Sequence, residues 1–290
     1  MKRKKLTASM IALVMSVSLP MTTYAANWYL EDGSVTVNAD NSRQTVTQGS
    51  TSTPDEAPVI TQRESSVETG NTIAINASDN AAANVTIKDI NIKSSKDAID
   101  VTGSSSANIT LEGDNKIFSE TGSALHISDG NVTINGSGSL KAEIQDDLGS
   151  DYNHNAKIGS HEKEAMSGSI HITGDATVKT DNNIAPDCGG DGAGIGSGED
   201  GEMSGNIVID GNAQVEVFSN DRGAGIGSGD DGNLSGNIMI GGNAQVSATG
   251  AEDSAGIGTG DDGNFTGSIT MDGNARVTAY CQSRRRSQWF

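Results

Sequence analysis

The chain has 290 residues, with 19 Lys and Arg against 38 Asp and Glu, a formal net charge of −19, 3% aromatic residues and 37 glycines. So acidic a surface repels nucleic acid and anionic membranes, and it disfavours an anionic polysaccharide unless divalent cations bridge the two. No segment of about 18 apolar residues follows the N-terminal stretch, so membrane insertion is not expected.

Residues 1–25 read as a signal peptide. Lys2-Arg3-Lys4-Lys5 supplies a basic start, Leu6 to Leu19 a short apolar run, and Thr23-Tyr24-Ala25 the small residues before cleavage. Its removal leaves 15 basic residues against 38 acidic ones and a net charge of −23. With no cysteine near the cleavage point, a lipid anchor is not expected, and the mature protein is read as secreted, either extracellular or associated with a cell surface.

Residues 26–84 are less regular. Val35-Thr36-Val37, Thr45-Val46-Thr47 and Ile73-Ala74-Ile75 read as strands and Gly49 to Ala57 as a polar loop. Together they are expected to form the first coils and an N-terminal cap, since an unpaired β-edge needs cover.

Residues 85–280 are periodic. Ala193-Gly194-Ile195-Gly196-Ser197-Gly198 returns at Ala224 and again at Ala255, so Ile195, Ile226 and Ile257 are each 31 residues apart. A period of this size marks a solenoid, in which a unit buries its apolar face only by stacking on its neighbour. Within a unit, Ile207-Val208-Ile209-Asp210 puts Ile207 and Ile209 on one face and Val208 and Asp210 on the other, and after a Gly211-Asn212 corner the strand continues through Gln214-Val215, as half-buried strands require.

Copies of the first strand begin at Ile238 and Ile269, with looser ones at 109, 132 and 170. Asn212, Asn243 and Asn274 would then stack as a side-chain amide ladder. Ala98-Ile99 and Ala124-Leu125 are counterparts of Gly194-Ile195 and supply a third strand. The expected fold is all-β, a right-handed parallel β-helix of about eight coils with three short strands each.

Cys188 and Cys281 are 93 residues apart, which is three periods. Stacked at about 4.8 Å per coil they lie about 14 Å apart, so no internal disulfide is expected. The segment 281–290 breaks the pattern with Arg284-Arg285-Arg286, and the next marker isoleucine falls due at Gln288. A frameshift or truncation is the expected origin of that irregular basic tail, with a genuine short tail as the alternative.

The strongest chemistry lies in the loop after the Gly-Ile strand, which reads Glu199-Asp200-Gly201, Asp230-Asp231-Gly232 and Asp261-Asp262-Gly263, with a related Glu162-Lys163 upstream. Stacking makes columns of carboxylates. Like charges about 5 Å apart repel by roughly 3 kcal/mol at an effective dielectric of 20 and by less than 1 kcal/mol in open water. Calcium held by these acids and nearby carbonyls would relieve that repulsion. A solvated acidic ridge that keeps the solenoid soluble is the other reading.

The glycines fit neither a dinucleotide fingerprint nor a P-loop, and are read as allowing close packing of coils. His126 and His171 alternate with apolar neighbours and should face outward; with His154 and His161 they complete no catalytic or metal-binding motif. Arg222 and Arg276 read as solvated cations; of the basic residues, Arg222 comes nearest to the place a polysaccharide lyase needs beside calcium-binding acids.

The GAGIGSG element followed by S-G-N-I-x-I-x-G-N-A-x-V resembles the Gly-rich GAGIG repeats of secreted and surface proteins from Gram-positive gut and soil bacteria. That resemblance spans roughly residues 84–280. It implies a pectate-lyase-like β-helix related to calcium-dependent carbohydrate-binding domains, displayed outside the cell with adhesin-like or glycan-binding roles. The expected function is therefore non-enzymatic binding of polysaccharide or a cell-surface glycan, with calcium as the cofactor. A lyase or hydrolase of acidic glycans and a ligand-free stalk are the alternatives.

Overall fold

The computed structural model describes residues 25–78, 81–102, 104, 106–145, 152–180, 190–219, 221–251 and 253–282. Residues 1–24 of the expected signal peptide, Cys188 and the tail after Gln282 lie outside the described residues.

The described residues wind into a parallel β-helix with three strands per coil. One full turn runs from Ile195–Gly196 through Asn206–Ile209 to Gln214–Phe218 and returns to Ile226–Gly227. Each strand pairs in parallel with its counterpart one coil away, so Ile207 sits beside Ile238 and Ile238 beside Ile269. Three sheets result: a marker sheet carrying the Gly-Ile strands, a first sheet carrying Ile-x-Ile, and a second sheet after the Gly-Asn corner.

The core follows from the alternation. Ile207, Ile209, Val215 and Val217 are buried and their neighbours face outward, so each coil adds one layer to a continuous apolar column. The amide ladder forms as expected: Asn243 Nδ2 donates to Asn212 Oδ1 at 3.0 Å, and Asn274 Nδ2 to Asn243 Oδ1 at 3.2 Å. Asn237 repeats the device on Asn206.

A fourth ladder, absent from the sequence reading, joins Met166, Met203, Leu234 and Phe265 through single bridges. The first three are buried and Phe265 is exposed on the last described coil. One bridging residue per coil has no period-2 pattern to display, which is why it escaped notice.

The marker glycines pack as expected. Gly159, Gly196, Gly227 and Gly258 have φ between 140° and 144°, and a Cβ on Gly196 would lie 1.7 Å from the Gly227 carbonyl oxygen.

Two expectations need correction. Ile109 pairs with Ile134 and Ala107 with Val132, so these two coils are offset by 25 residues and not 23. Matching the first apolar residue of each strand misjudged the register, because Ala107 is buried and begins the inward row one step earlier. The supposed loop Gly49 to Ala57 also contains a strand: Thr51–Pro54 pairs antiparallel with Gln44–Gln48. All four of its residues are exposed, so no apolar alternation could announce it.

Gln44–Gln48 itself pairs antiparallel with Val35–Ala39, and this meander closes the N-terminal edge of the marker sheet, leaving fewer backbone groups unpaired. Asp55 holds the turn by accepting from Trp28 Nε1 at 2.9 Å and from the Ala26 amide at 3.2 Å.

Candidate functional site

The acidic loops stack as two columns. The Lys163, Asp200 and Asp231 amides donate to the Glu199, Asp230 and Asp261 carbonyls one coil on, at 2.7, 2.9 and 2.9 Å. Lys163, Asp200, Asp231 and Asp262 all take left-handed angles, with φ from 51° to 60°. That conformation suits Asp best among the acids, and it turns Asp200, Asp231 and Asp262 out into solvent.

Glu199, Asp230 and Asp261 face inward along the corner. Their amides donate to the carbonyls of His154, Asp191 and Arg222, so a second column of residues runs beside the acids. Each of these residues stands eight positions before an acid of the same coil: His154 before Glu162, Asp191 before Glu199 and Arg222 before Asp230. That shared offset is the signal that sequence reasoning could have used to find His154 and Asp191.

The side chains converge at two levels. His154 Nδ1 lies 2.6 Å from Glu199 Oε2 and 3.1 Å from Asp191 Oδ2. Neither contact has hydrogen-bond alignment, and the buried His154 Nδ1 and Asp191 Oδ1 have no hydrogen-bond partner among the described residues. One coil on, Arg222 Nη1 lies 3.6 Å from Asp230 Oδ2. Of the six carboxylates singled out in the sequence, then, Glu199 joins a mixed cluster and Asp230 an ion pair. Asp261 is half-buried beside Arg222's backbone, Asp200 lies 4.0 Å from Lys163 Nζ at the surface, and Asp231 and Asp262 point into solvent.

Crowding shows in the protonation equilibria. Burial pushes the Glu199 carboxyl up, and Asp191 and Glu162 add to that against the pull of His154. Burial also pushes Asp230 up to about 6, with Asp191 reinforcing the shift and Arg222 opposing it. Asp191 beside His154 holds the imidazole above its ordinary value. The corner therefore carries more negative charge than its own cations balance.

A carboxyl whose folded pKa is raised subtracts stability as pH climbs through that value. Asp230→Asn is accordingly expected to stabilise the fold at pH 7.5 by roughly 1 kcal/mol and to leave it unchanged near pH 4. Urea midpoints at the two pH values check this; a loss at pH 7.5 would show that the Arg222 pairing outweighs the crowding.

A second titratable cluster lies upstream. His126 was expected to face solvent, yet it is 8% exposed. It does point away from the apolar row, but the loop at 160–164 folds over it. His126 Nδ1 lies 2.8 Å from Asp100 Oδ1 and Nε2 lies 2.8 Å from Glu164 Oε2. Its ring stacks on His161 with centroids 3.9 Å apart and 10° between planes, while His161 Nε2 meets Asp97 Oδ1 at 2.7 Å. Local alternation sets the direction of the His126 side chain; the covering loop comes from a later coil that alternation cannot report. His171 does stand at the surface, 3.0 Å from Asp210 Oδ1.

On the second sheet, an open groove of about 420 Å³ is lined by Lys179, Gln214, Glu216, Gln245, Ser247 and Arg276 among others. Strand register places Gln214 beside Gln245 beside Arg276, and Glu216 beside Ser247 beside Thr278. Set against known proteins, the chain matches no family model, no curated protein and no solved structure.

Proposed function

We propose that this chain is a secreted, non-enzymatic β-helix that binds extracellular carbohydrate, in the manner of an adhesin, with calcium assisting at the acidic corner. The observation that carries the reading is the second-sheet groove. Its amides and hydroxyls recur in register from coil to coil, at about 4.8 Å, which suits a ligand that itself repeats hydroxyl groups along its length. Tyr280, exposed on the same sheet, offers a face on which a sugar ring can stack. Repetition adds avidity, since several weak contacts act on one chain of ligand. The excess negative charge around Asp191, Glu199 and Asp230 supports a bound cation.

The test is retention of the mature protein on a panel of neutral and acidic polysaccharides, with calcium and with chelator. Retention is expected on at least one glycan, weakened about tenfold by the pair Gln214→Ala and Gln245→Ala, in line with the loss of one or two hydrogen bonds. Loss in chelator supports calcium. No retention in either buffer would leave a ligand-free stalk as the better account.

A second reading, a lyase or hydrolase acting on acidic glycans, is favoured by one observation. Asp230 titrates at about 6 next to Arg222, where a general acid works near neutral pH and a guanidinium can meet a substrate carboxylate. Release of unsaturated or reducing ends from polygalacturonate would establish it.

A further inference from the structure

We propose that His154, Asp191 and Glu199 bind a first-row transition-metal ion of the zinc class. This rests on the reading that the acidic corner takes a cation and says which cation one level of it prefers.

The three ligand atoms all lie within 4.8 Å of one another. In a tetrahedral zinc site, nitrogen and oxygen ligands sit about 2.0–2.2 Å from the ion, which puts them roughly 3.3–3.5 Å from each other. His154 Nδ1 is 3.1 Å from Asp191 Oδ2 and 2.6 Å from Glu199 Oε2, so the cluster needs to open by less than about 1 Å.

A proton on Nδ1 serves one carboxylate at a time, whereas an ion at the centre serves all three groups. That accounts for the buried His154 Nδ1, which lacks a hydrogen-bond partner among the described residues. Tyr152 packs edge-on against the imidazole at 6.3 Å between centroids and holds its orientation.

Imidazole is the selecting group. Calcium takes six to eight oxygen ligands, while a nitrogen donor with two carboxylates suits zinc and its neighbours. Three protein ligands leave a fourth position, which water or the next acid in the row, Asp230, can fill.

The repeat explains why, among the described residues, this set of one imidazole and two carboxylates is not repeated on the next coil. One coil on, Arg222 occupies the place of Asp191 beside Asp230, and its guanidinium supplies the positive charge that the ion supplies here.

The upstream histidines do not make a rival site in this geometry. Imidazole lone pairs lie in the ring plane, and the His126 and His161 rings are parallel within 10° at 3.9 Å, so their nitrogens cannot both aim at one ion. Both His126 nitrogens are also engaged by carboxylates at 2.8 Å.

The experiment titrates Zn²⁺ into the untagged mature protein against a chromophoric chelator, with Ca²⁺ titrated in parallel by calorimetry. One equivalent of Zn²⁺ is expected, bound more tightly than Ca²⁺. His154→Ala should weaken it on the order of 100-fold or more, and Asp191→Asn should weaken it as well. Co²⁺ used in place of Zn²⁺ should give visible bands of tetrahedral intensity in the wild type and not in either variant. Circular dichroism confirms that each variant is folded, and Asp191→Asn keeps the test open if His154→Ala is not.

Zinc binding unchanged in both variants, or lost only on replacing His126 or His161, overturns the assignment. Calcium binding that equals zinc binding and ignores His154 overturns the transition-metal preference while leaving a cation at the corner. Failure of both metals to bind overturns the site and the cation-assisted reading together.

Discussion

Gly227→Ala is expected to destroy the fold, with loss of soluble protein or a destabilisation above about 4 kcal/mol, while Gly258→Ala costs only about 1–3 kcal/mol. Both residues have nearly the same backbone angles, φ 142° and 144°. Their surroundings differ. A Cβ on Gly227 would lie 1.7 Å from the Gly258 carbonyl oxygen and 2.8 Å from its carbon, whereas one on Gly258 meets only the Ala255 Cβ, at 3.1 Å.

Gly258 belongs to the last described coil of the marker sheet, and no described coil stacks beyond it in that sheet. The Gly258 variant therefore isolates the strain of a left-handed angle at a residue bearing a Cβ, and the Gly227 variant adds a backbone collision. The carbonyl cannot retreat, because Ile257–Gly258 is held in register against Ile226–Gly227. Denaturant midpoints of the two variants decide the matter. Equal losses would mean that backbone strain alone accounts for glycine here.

The second large effect concerns alkali. Stability is expected to fall by up to about 3 kcal/mol as pH rises from 7 to 10, and His126→Gln should remove most of that slope. Burial by itself would lower the His126 pKa. The hydrogen bonds to Asp100 and Glu164 overcome it and raise the value to about 9.

A histidine whose folded pKa exceeds its unfolded value contributes stability that is complete below about 6.5 and is lost as pH climbs through about 9. Glu164 shows the same pairing from the other side: burial raises its pKa, but His126 and the His161 amide bring it below the ordinary value. The two shifts describe one interaction and are counted once. Glu164's share is present above the ordinary carboxylate range and fades in acid, as does that of Asp97, lowered by His161 against the effect of burial.

At pH 7, His126→Leu should cost about 2–3 kcal/mol, because Asp100 and Glu164 lose their shared partner while retaining some access to water. Denaturation midpoints taken every half pH unit test both statements. A flat wild-type profile between pH 7 and 9.5, or the same slope in His126→Gln, would sink the account.

The repeat was legible because a solenoid writes its geometry in the sequence. Stacking copies at one strand spacing forces equal residues into columns, so Ile195, Ile226 and Ile257 and the ladder of Asn212, Asn243 and Asn274 could be placed before any coordinates. The same logic aligned Glu199, Asp230 and Asp261 correctly.

It faltered where coils differ in length. The offset of 25 between Ile109 and Ile134 follows the inward alanine Ala107, which an isoleucine-based reading passes over. It also faltered where pairing is polar and exposed, as in Thr51–Pro54, since edge strands held by backbone hydrogen bonds carry no apolar signature.

The candidate site divides along the same line. By itself the sequence determined the parallel β-helix, its inward faces and the columns of acid, because each follows from a period and from alternation along the chain. Only the tertiary structure decided which carboxylates meet. Left-handed angles at Asp200, Asp231 and Asp262 send those side chains outward, while His154 and Asp191, 37 residues apart and on different coils, close on Glu199. His126 likewise became a buried, doubly paired imidazole only when Glu164, 38 residues later, folded across it. Column membership is a property of one repeating coordinate and is written in spacing; contact across columns depends on the path of the turns, where spacing is silent.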